Sequence, residues 1–235
     1  MNSKKINEII CSLGDFYKNH AEEFSKTRQN PWPGWEKCLD KVKDNFNQKD
    51  LSVLDIGCGN GRFFKFLADF SPYELNYLGL DNSDYLLVEA VLKYPMAKFT
   101  YLNVFSNLGE IKSKHDAVCV FGLTHHLPDN DFRLAWLKSL VPFINNDGLL
   151  LLTFWDLSSD RRSIKLERAK DLDDNDFYYT WKDTSDKRYV HLFDDNELSK
   201  IKSCLTQGGL ALVDEFYSDG KSGKLNKYLI FKRLS

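Results

Sequence analysis

The residues with the clearest chemical potential are three glycines at alternate positions that follow an acidic side chain. Asp55 is followed by Gly57, Gly59 and Gly61, directly after the apolar run Val53-Leu54. Residues without a Cβ permit a sharp turn and let a ligand approach the backbone closely. The amide groups at the start of a following helix can face a carboxylate or another polar group. We therefore predict a ligand-binding turn here.

The spacing of these glycines does not fit a dinucleotide site. A dinucleotide-binding turn carries G-x-G-x-x-G, with two residues between its second and third glycines. Here a glycine occupies every second position and the run opens with an acid. A pyrophosphate turn does not match this pattern, so an NAD-dependent dehydrogenase is the least favoured interpretation.

Alternating strands and helices position this turn. Apolar runs predict strands over residues 51–56, 75–81, 98–103, 115–121 and 148–155. Helical patterns predict helices over residues 62–70, 84–93 and 132–141. Such alternation is typical of a parallel sheet covered by helices on both faces, and two final strands, over 210–217 and 228–232, predict an antiparallel pair. The predicted fold class is α/β, a doubly wound and mostly parallel seven-stranded sheet with a C-terminal antiparallel strand.

Two segments lie outside this alternation. Residues 1–48 predict an N-terminal helical cap, with a first helix to about residue 21, a Pro-containing loop over 24–35 and a second helix to about residue 45. Residues 156–190 are polar, charged and aromatic, with weak periodicity, and predict a lid-like insertion after the fifth strand. A helix over 194–207 follows. We expect one domain over residues 1–235.

Composition limits the classes of function. Of 235 residues, 43% are hydrophobic, which is ample for a packed core. The five cysteines are scattered without a CxxC pair, so we predict neither a metal site nor a disulfide framework. We see no signal peptide and no apolar stretch long enough for a membrane span, and expect a cytoplasmic protein. The formal net charge of −2 gives no global attraction for nucleic acid, so any RNA binding depends on local basic clusters or on a partner.

The glycine run, together with Leu78-Gly79-Leu80-Asp81 at the end of the second strand, resembles the class I S-adenosylmethionine-dependent methyltransferases, which have a Rossmann-like fold. The resemblance implies that the glycine loop wraps the methionine part of the cofactor and that Asp81 holds its ribose hydroxyls. It also implies that residues 103–104 lie near the adenine and 121–122 beside the sulfonium. The candidate cofactor-binding residues are Trp32, Asp55, Gly57, Cys58, Gly59, Asn60, Gly61, Asp81, Asn82, Asn103, Val104 and Phe121.

A narrower resemblance covers nearly the whole chain. Several further elements occur in the same order as in the tRNA wobble-uridine carboxymethyl methyltransferases, which esterify the carboxylate of 5-carboxymethyluridine. These elements are Phe24-Ser25-Lys26-Thr27-Arg28, Pro31-Trp32-Pro33, Thr124-His125-His126-Leu127, Trp155 with Arg161-Arg162, and Arg188-Tyr189-Val190-His191-Leu192-Phe193. The chain departs from that family in its short acidic insertion between residues 169 and 176, and in Leu127, where an aromatic residue is frequent.

Methylation of a carboxylate needs no general base, because a group with a reference pKa near ~4 is already ionised at neutral pH. Catalysis then depends on alignment of the reacting atoms and on exclusion of water. Cationic and hydrogen-bonding side chains must still hold the acceptor. The candidates are Arg28, His125, His126, Arg161, Arg162 and His191. Trp32 and Trp155 are candidates for stacking on a base, or for packing.

Other interpretations remain open at this level. The same fold could enclose a metabolite, which would make the chain a small-molecule carboxyl or hydroxyl O-methyltransferase. A non-catalytic module that binds S-adenosylmethionine is a third possibility, although the intact set of acid and glycines favours an enzyme. The resemblance also implies tRNA as a partner, and a small zinc-binding activator subunit at the sheet edge, where residues 98–105 predict the edge strand.

Overall fold

The computed structural model describes residues 1–156, 166–169, 172–181 and 184–235. Its strands are β1 (Asp50–Ile56), β2 (Glu74–Asp81), β3 (Lys98–Tyr101), β4 (His115–Val120), β5 (Ile144–Trp155), β6 (Leu166–Arg168), β7 (Asp176–Thr180), β8 (Lys187–His191), β9 (Leu210–Ser218) and β10 (Asn226–Arg233). Its α-helices are α1 (Ser3–Lys26), α2 (Gly34–Asn45), α3 (Arg62–Phe70), α4 (Asp84–Lys93), α5 (Asn130–Lys138) and α6 (Asp195–Gln207).

Within the described ranges, seven strands form the main sheet in the order β3-β2-β1-β4-β5-β10-β9. β10 runs antiparallel to both of its neighbours, and the pairs from β3 through to β5 are parallel. The predicted fold class is confirmed. The chain order reverses between β1 and β4, and in open α/β sheets ligands bind at the carboxyl ends of the strands at such a point.

The two faces of β1 show how the sheet is covered. Successive side chains of a strand point to opposite faces. Leu54 and Ile56 belong to a buried cluster with residues of α5 and α6. Leu51 and Val53 belong to a second cluster that includes Trp35 of α2 and several phenylalanines of α3. Because both faces are covered, the fully buried side chains of β1 are apolar until Asp55, the position at which the strand approaches the site.

The first helix extends further than predicted. It continues through residues 24–26, which were predicted to begin a loop, and ends at Lys26. Asn2 caps its start by accepting a hydrogen bond from the backbone N–H of Lys5, at 2.9 Å. Its buried side chains pack against the insertion, where Ile9, Leu13 and Tyr189 form a small cluster. Other distant residues hold the last turns of the helix: the side-chain amide of Asn60 donates to Oγ of Ser25 at 2.9 Å, and the ring of Phe24 lies 6.2 Å from that of Trp181.

Other elements also differ from the sequence prediction. β3 ends at Tyr101 and not at residue 103, because the backbone turns there. The helix predicted over 132–141 runs over Asn130–Lys138, with Asp129 as its cap. The insertion, for which the sequence analysis assigned no strands, contains the antiparallel sheet β6-β7-β8, in which Tyr178 pairs with Tyr189. Its weak periodicity reflects strands that are partly buried on both sides. Among the described helices, none is long and apolar enough to cross a membrane.

Candidate active site

A cavity of about 990 Å³, measured together with its opening to solvent, lies where the carboxyl ends of β1, β2, β4 and β5 meet. Residues of α1 and of β8 close it from the other side. Its lining includes Leu13, Tyr17, Phe24, Arg28, Trp32, Trp35, Asp55, Gly57, Cys58, Gly59, Asn60, Arg62, Phe63, Asp81, Asn82, Leu86, Phe105, Phe121, Gly122, Leu123, His125, His126, Trp155 and Arg188. Most of the predicted site residues are therefore brought together in one cavity.

The glycine turn has the backbone conformation that its sequence predicts. Gly57, Gly59 and Gly61 have φ angles of 81°, 54° and 76°, in the left-handed region that favours glycine. Gly59 donates its backbone N–H to Oδ2 of Asp81 at 2.8 Å, and Ser83 donates to Oδ1 at 2.9 Å. Burial raises the pKa of Asp81 although these backbone donors lower it. The turn and the Asp81 carboxylate thus form one rigid unit.

This unit fits the cofactor that the resemblance implies. Both oxygens of Asp81 keep acceptor capacity, since a carboxylate has about four lone-pair sites and the two hydrogen bonds above use half of them. A Cβ on Gly59 would find its nearest heavy atom 3.9 Å away, at Leu86, so the backbone there is open to a ligand. Gly61 does not line the cavity: a Cβ on it would lie 3.0 Å from the rings of Tyr94 and Phe99. Gly61 is needed for packing of the turn.

Asp55 lies below the turn and is 2% exposed. The hydroxyl of Tyr77 donates to its Oδ2 at 2.5 Å. Burial raises the pKa of Asp55 to about 7, against the lowering effect of the Tyr77 hydrogen bond. Arg62 also lines the cavity, with its guanidinium carbon 4.8 Å from the ring centroid of Trp32. Arg62 was not among the predicted site residues, although it directly follows the glycine run.

Asn103 and Val104 are not where the resemblance places them. Oδ1 of Asn103 accepts the backbone N–H of Phe105 at 3.1 Å, which closes the turn after β3. Val104 is buried in the core, and its carbonyl accepts the indole N–H of Trp136 at 2.8 Å. Because β3 ends early, Phe105 is the residue of this segment that lines the cavity. The cavity lining therefore does not support the cofactor contact predicted at residues 103 and 104.

The two adjacent histidines lie on a short 3₁₀ turn after β4, and both are about 1% exposed. Nδ1 of His126 is 2.8 Å from the carbonyl oxygen of Tyr189, which can only accept, so Nδ1 carries the hydrogen. Nε2 of His126 then accepts from the hydroxyl of Tyr17, also at 2.8 Å. Burial and the charge of Arg188 lower the pKa of His126 to about 3, so its ring is neutral.

The ring of His125 stacks on the indole of Trp155, with centroids 3.6 Å apart and planes 13° from parallel. Burial, together with the charge of neighbouring groups, lowers the pKa of His125 well below its ordinary value. Neither histidine is therefore a cation at neutral pH. The positive charge at this end of the cavity comes from arginines.

Arg188 is a further site residue that was not predicted from the sequence. It is 2% exposed, and the rings of Phe16, Tyr17, Trp155, Tyr179 and Trp181 lie 5.2–5.7 Å from its guanidinium carbon. Arg28 lines the same cavity, with its guanidinium carbon 4.1 Å from the ring centroid of Phe24. The two cations are close, since the guanidinium carbons of Arg28 and Arg188 lie 5.5 and 5.7 Å from the ring centroid of Trp181. Burial and the charge of Arg188 lower the pKa of Arg28.

His191 lies outside the cavity lining. Its Nδ1 is 2.7 Å from Oδ1 of Asp176, and its Nε2 is 2.9 Å from Oε1 of Glu197. Alternation along β8 explains the difference: residues 188 and 190 face one side and 189 and 191 the other. The predicted residue His191 is in the strand that closes the cavity, but its side chain is on the face of that strand that points away from the cavity. In this placement His191 joins the insertion to α6 and does not contact a ligand in the cavity. Arg161 and Arg162 lie outside the described residues.

The His191 contact predicts a loss of stability in acid. Burial raises the pKa of Glu197, but the hydrogen bond and charge of His191 outweigh it and lower that pKa to about 2, from 4.5. A depressed carboxylate pKa contributes stability above pH 4.5 and loses it as the pH falls toward 2. Because the Glu197 side chain is only partly buried, solvent screens this interaction, and we expect it to contribute about 1–2 kcal/mol to the free energy of unfolding near pH 6.

Urea unfolding of the wild type and of Glu197→Gln checks this expectation. The wild type should be the more stable protein at pH 6, and the difference should shrink steadily between pH 4.5 and 3. Lys200→Gln, which replaces an exposed lysine on the same helix, serves as the control and should show no such trend. A difference between wild type and Glu197→Gln that is independent of pH would contradict the expectation.

Comparisons with known proteins agree with this geometry. Residues 27–215, more than half of the chain, match a family model described as a methyltransferase domain. A protein of Encephalitozoon cuniculi is 28% identical over 204 residues, which are 85% of this chain and 87% of that protein. Its name assigns it to the methyltransferases and states no substrate.

A second relative carries a substrate in its name. The tRNA (carboxymethyluridine(34)-5-O)-methyltransferase of Xenopus tropicalis is 28% identical over 159 residues. That match covers 66% of this chain but 23% of that protein, so the chain spans about a quarter of its length. Among solved structures, magnesium protoporphyrin IX methyltransferase from Synechocystis, with bound S-adenosylmethionine, has a TM-score of 0.62 and 15% identity, over 95% of this chain and 96% of that one.

Proposed function

The chain belongs to the methyltransferase-domain family, and on that premise we propose that it methylates the carboxylate of 5-carboxymethyluridine at the wobble position of tRNA. Methyl transfer is its reaction class and S-adenosylmethionine is its cofactor. The acceptor is the proposed part. It is supported by the substrate that the Xenopus relative's name states, by the sequence elements shared with the wobble-uridine enzymes, and by the charge of the cavity.

The observation that carries the proposal is the distribution of charge in the cavity. Its two acidic lining residues, Asp55 and Asp81, lie at the glycine turn. The opposite end, formed by α1, β8 and the histidine turn, holds Arg28 and Arg188 and has no carboxylate among the described lining residues. Two partly or fully buried guanidinium groups without a carboxylate partner favour an anionic ligand. A carboxylate acceptor satisfies this requirement.

The chemistry is consistent with the residues present. When bound, S-adenosylmethionine supplies a methyl group on a positively charged sulfur, and the carboxylate oxygen supplies the electron pair of the new bond. No proton moves, so no general base is needed, and the two neutral histidines agree with this. We propose that Asp81, Asn82 and the glycine turn hold the cofactor. Arg28, Arg188 and the aromatic rings then align the acceptor and exclude water.

The proposal includes a partner at the sheet edge. β3 pairs with β2 and has no second neighbouring strand among the described residues. Beside this edge, Leu92 and Met96 are each 77% exposed and Tyr101 is 56% exposed. An open strand edge beside exposed apolar side chains suits pairing with another chain, and the resemblance points to a small zinc-binding activator subunit. Full activity of the purified chain alone would exclude a requirement for it.

A methyl-transfer assay tests the acceptor. The purified chain, alone and with added cell extract, receives methyl-labelled S-adenosylmethionine and an anticodon stem-loop that carries 5-carboxymethyluridine at the wobble position. We expect label to enter this RNA and to be released as methanol by mild alkali, because the product is an ester. The matched RNA with unmodified uridine should stay unlabelled. Label that enters a metabolite pool and neither RNA would overturn the proposal in favour of a small-molecule enzyme.

A further inference from the structure

Three buried side chains of the cavity have polar atoms without a hydrogen-bond partner among the residues that the structure describes. One is Nε1 of Trp35. The others, in the part of the cavity formed by β8 and the histidine turn, are Nε of Arg188 and both ring nitrogens of His125. Arg188 is 2% exposed and His125 is 1% exposed. A buried polar group without a partner costs roughly 1–3 kcal/mol, and most buried polar groups have one. Because both residues line the same cavity, a ligand is the natural source of the missing partners.

The orientation of Arg188 is fixed by its surroundings. Its Nη1 donates to the hydroxyl oxygen of Tyr17 at 2.7 Å, and that hydroxyl donates to Nε2 of His126. His126 is anchored in turn by the carbonyl of Tyr189, the residue that follows Arg188 in β8. Arg188, Tyr17 and His126 therefore form one hydrogen-bond network, and five aromatic rings surround the guanidinium of Arg188. Nε–H of Arg188 is left to a ligand.

The same hydrogen-bond network distinguishes the two histidines by whether their ring nitrogens have partners. Both nitrogens of His126 are engaged, by Tyr17 and by the Tyr189 carbonyl. His125 has neither nitrogen engaged by a described residue, and its ring is held by stacking on Trp155. A neutral imidazole offers one N–H donor and one acceptor nitrogen. His125 is thus the histidine that can donate to a ligand in this cavity, and its ring also lies 4.1 Å from that of His126.

We propose that Nε–H of Arg188 and one ring N–H of His125 together hold the carboxylate of the acceptor, and that Tyr17 and His126 are positioning residues that hold Arg188. This inference rests on the proposed function and names the groups that recognise its substrate. The cation of Arg188 and the neutral ring of His125 donate these two hydrogen bonds, and the charge of Arg28 in the same cavity adds to the attraction for the anion. Neither histidine moves a proton.

Two substitutions test the pair directly. Arg188→Lys keeps the charge but removes Nε–H and the planar fork. His125→Phe keeps a ring for stacking on Trp155 but removes both nitrogens. For each variant we expect the KM for the modified stem-loop to rise roughly 10- to 100-fold, the range for loss of a hydrogen bond to a charged group. The Kd for S-adenosylmethionine should stay within twofold. Arg168→Lys, at an exposed arginine of β6, is the matched control and should change neither constant.

Substitution of a positioning residue should change the KM differently from substitution of Arg188 or His125. Tyr17→Phe removes the hydroxyl that holds Arg188 without removing a group that contacts the ligand. We expect it to raise the KM for the stem-loop by less than Arg188→Lys does. Combining the two substitutions should add nothing to the effect of Arg188→Lys alone, because both act on one contact. Additive effects would contradict the assignment of Tyr17 as a positioning residue.

A binding experiment keeps this inference distinct from the proposed function. The protein loaded with S-adenosylhomocysteine is titrated with the nucleoside 5-carboxymethyluridine and with its uncharged amide. ¹⁵N spectra of labelled histidine are recorded, with His125→Phe and His126→Gln to assign the two rings. The carboxylate should bind more tightly than the amide and should shift the His125 ring resonances, with those of His126 unchanged.

Shifts confined to His126, or equal binding of the carboxylate and the amide, would overturn the inference even if the stem-loop is methylated. If the stem-loop is not methylated but the carboxylate still binds through His125, the result would count against the tRNA substrate alone. Should Arg188→Lys not fold, His125→Phe and the histidine spectra still decide the outcome.

Discussion

Asp81→Ala is expected to weaken S-adenosylmethionine binding by about 100-fold or more, measured by calorimetric titration. The variant removes the acceptor proposed for the ribose hydroxyls, and hydrogen bonds to a charged group contribute about 1.5–3 kcal/mol each. It also removes the partner of the Gly59 and Ser83 amides, so the glycine turn loses its anchor. Both effects act in the same direction, which makes this one of the largest changes expected from a single side chain.

Asp84→Ala is the matched control. Asp84 is exposed in the first turn of α4, three residues after Asp81, and it does not line the cavity. Its removal should leave the Kd for the cofactor unchanged within twofold. An Asp81→Ala protein that folds and binds the cofactor as the wild type does would refute the assignment of Asp81 to the cofactor.

Gly34→Ala is expected to lower the free energy of unfolding by about 3 kcal/mol, at the upper end of the range for overpacking a core. A Cβ at this position would lie 2.4–2.6 Å from two ring carbons and the hydroxyl oxygen of Tyr228, which is fully buried in β10. The ring has little freedom to move, because its hydroxyl donates to Oδ2 of Asp219 at 2.6 Å. Asp219 also accepts the backbone N–H of Gly34 at 2.9 Å, through Oδ1. Relief of the clash therefore requires separating α2 from the sheet.

Gly109→Ala provides the comparison for that experiment. Gly109 has no positive φ, and a Cβ on it would find nothing within 4 Å. Chemical denaturation of the two variants should show a large loss for Gly34→Ala and a change within about 0.5 kcal/mol for Gly109→Ala. Equal stability of the two would mean that the junction of α2 and β10 can relax, contrary to the packing described above.

The part of the site nearest the parallel strands follows from the sequence. The apolar run ending in Asp55 predicts β1, and the carboxyl ends of parallel strands meet at one edge of a sheet. Asp55, Asp81 and the glycine turn are therefore expected together from the pattern of residues alone. These positions depend on local backbone geometry and on the order of strands. Local backbone geometry and strand order can both be recognised from the spacing of apolar residues and glycines.

The other end of the cavity could not be predicted in the same way. Tyr17 and Arg188 are 171 residues apart, and their hydrogen bond depends on how α1 packs against the insertion. The resemblance pointed to the right segment of β8, but whether residue 188 or 191 faces the cavity depends on strand alternation, which the mixed composition of the insertion conceals. Likewise, the placement of Phe105 in the cavity depends on the turn after Tyr101. In the sequence, Asn103 is the residue that indicates this turn.

The nearness of Arg28 and Arg188 has a consequence for the step after methyl transfer. A carboxylate ligand offsets the repulsion between the two guanidinium groups, which the lowered pKa of Arg28 reflects. An ester carries no charge and cannot do so. Turnover on the proposed acceptor therefore converts a ligand that stabilises this pair of cations into one that does not, and the cavity should release its product more readily than its substrate. Accumulating ester would then be a poor competitive inhibitor, and the modification could approach completion in a pool of mostly methylated RNA.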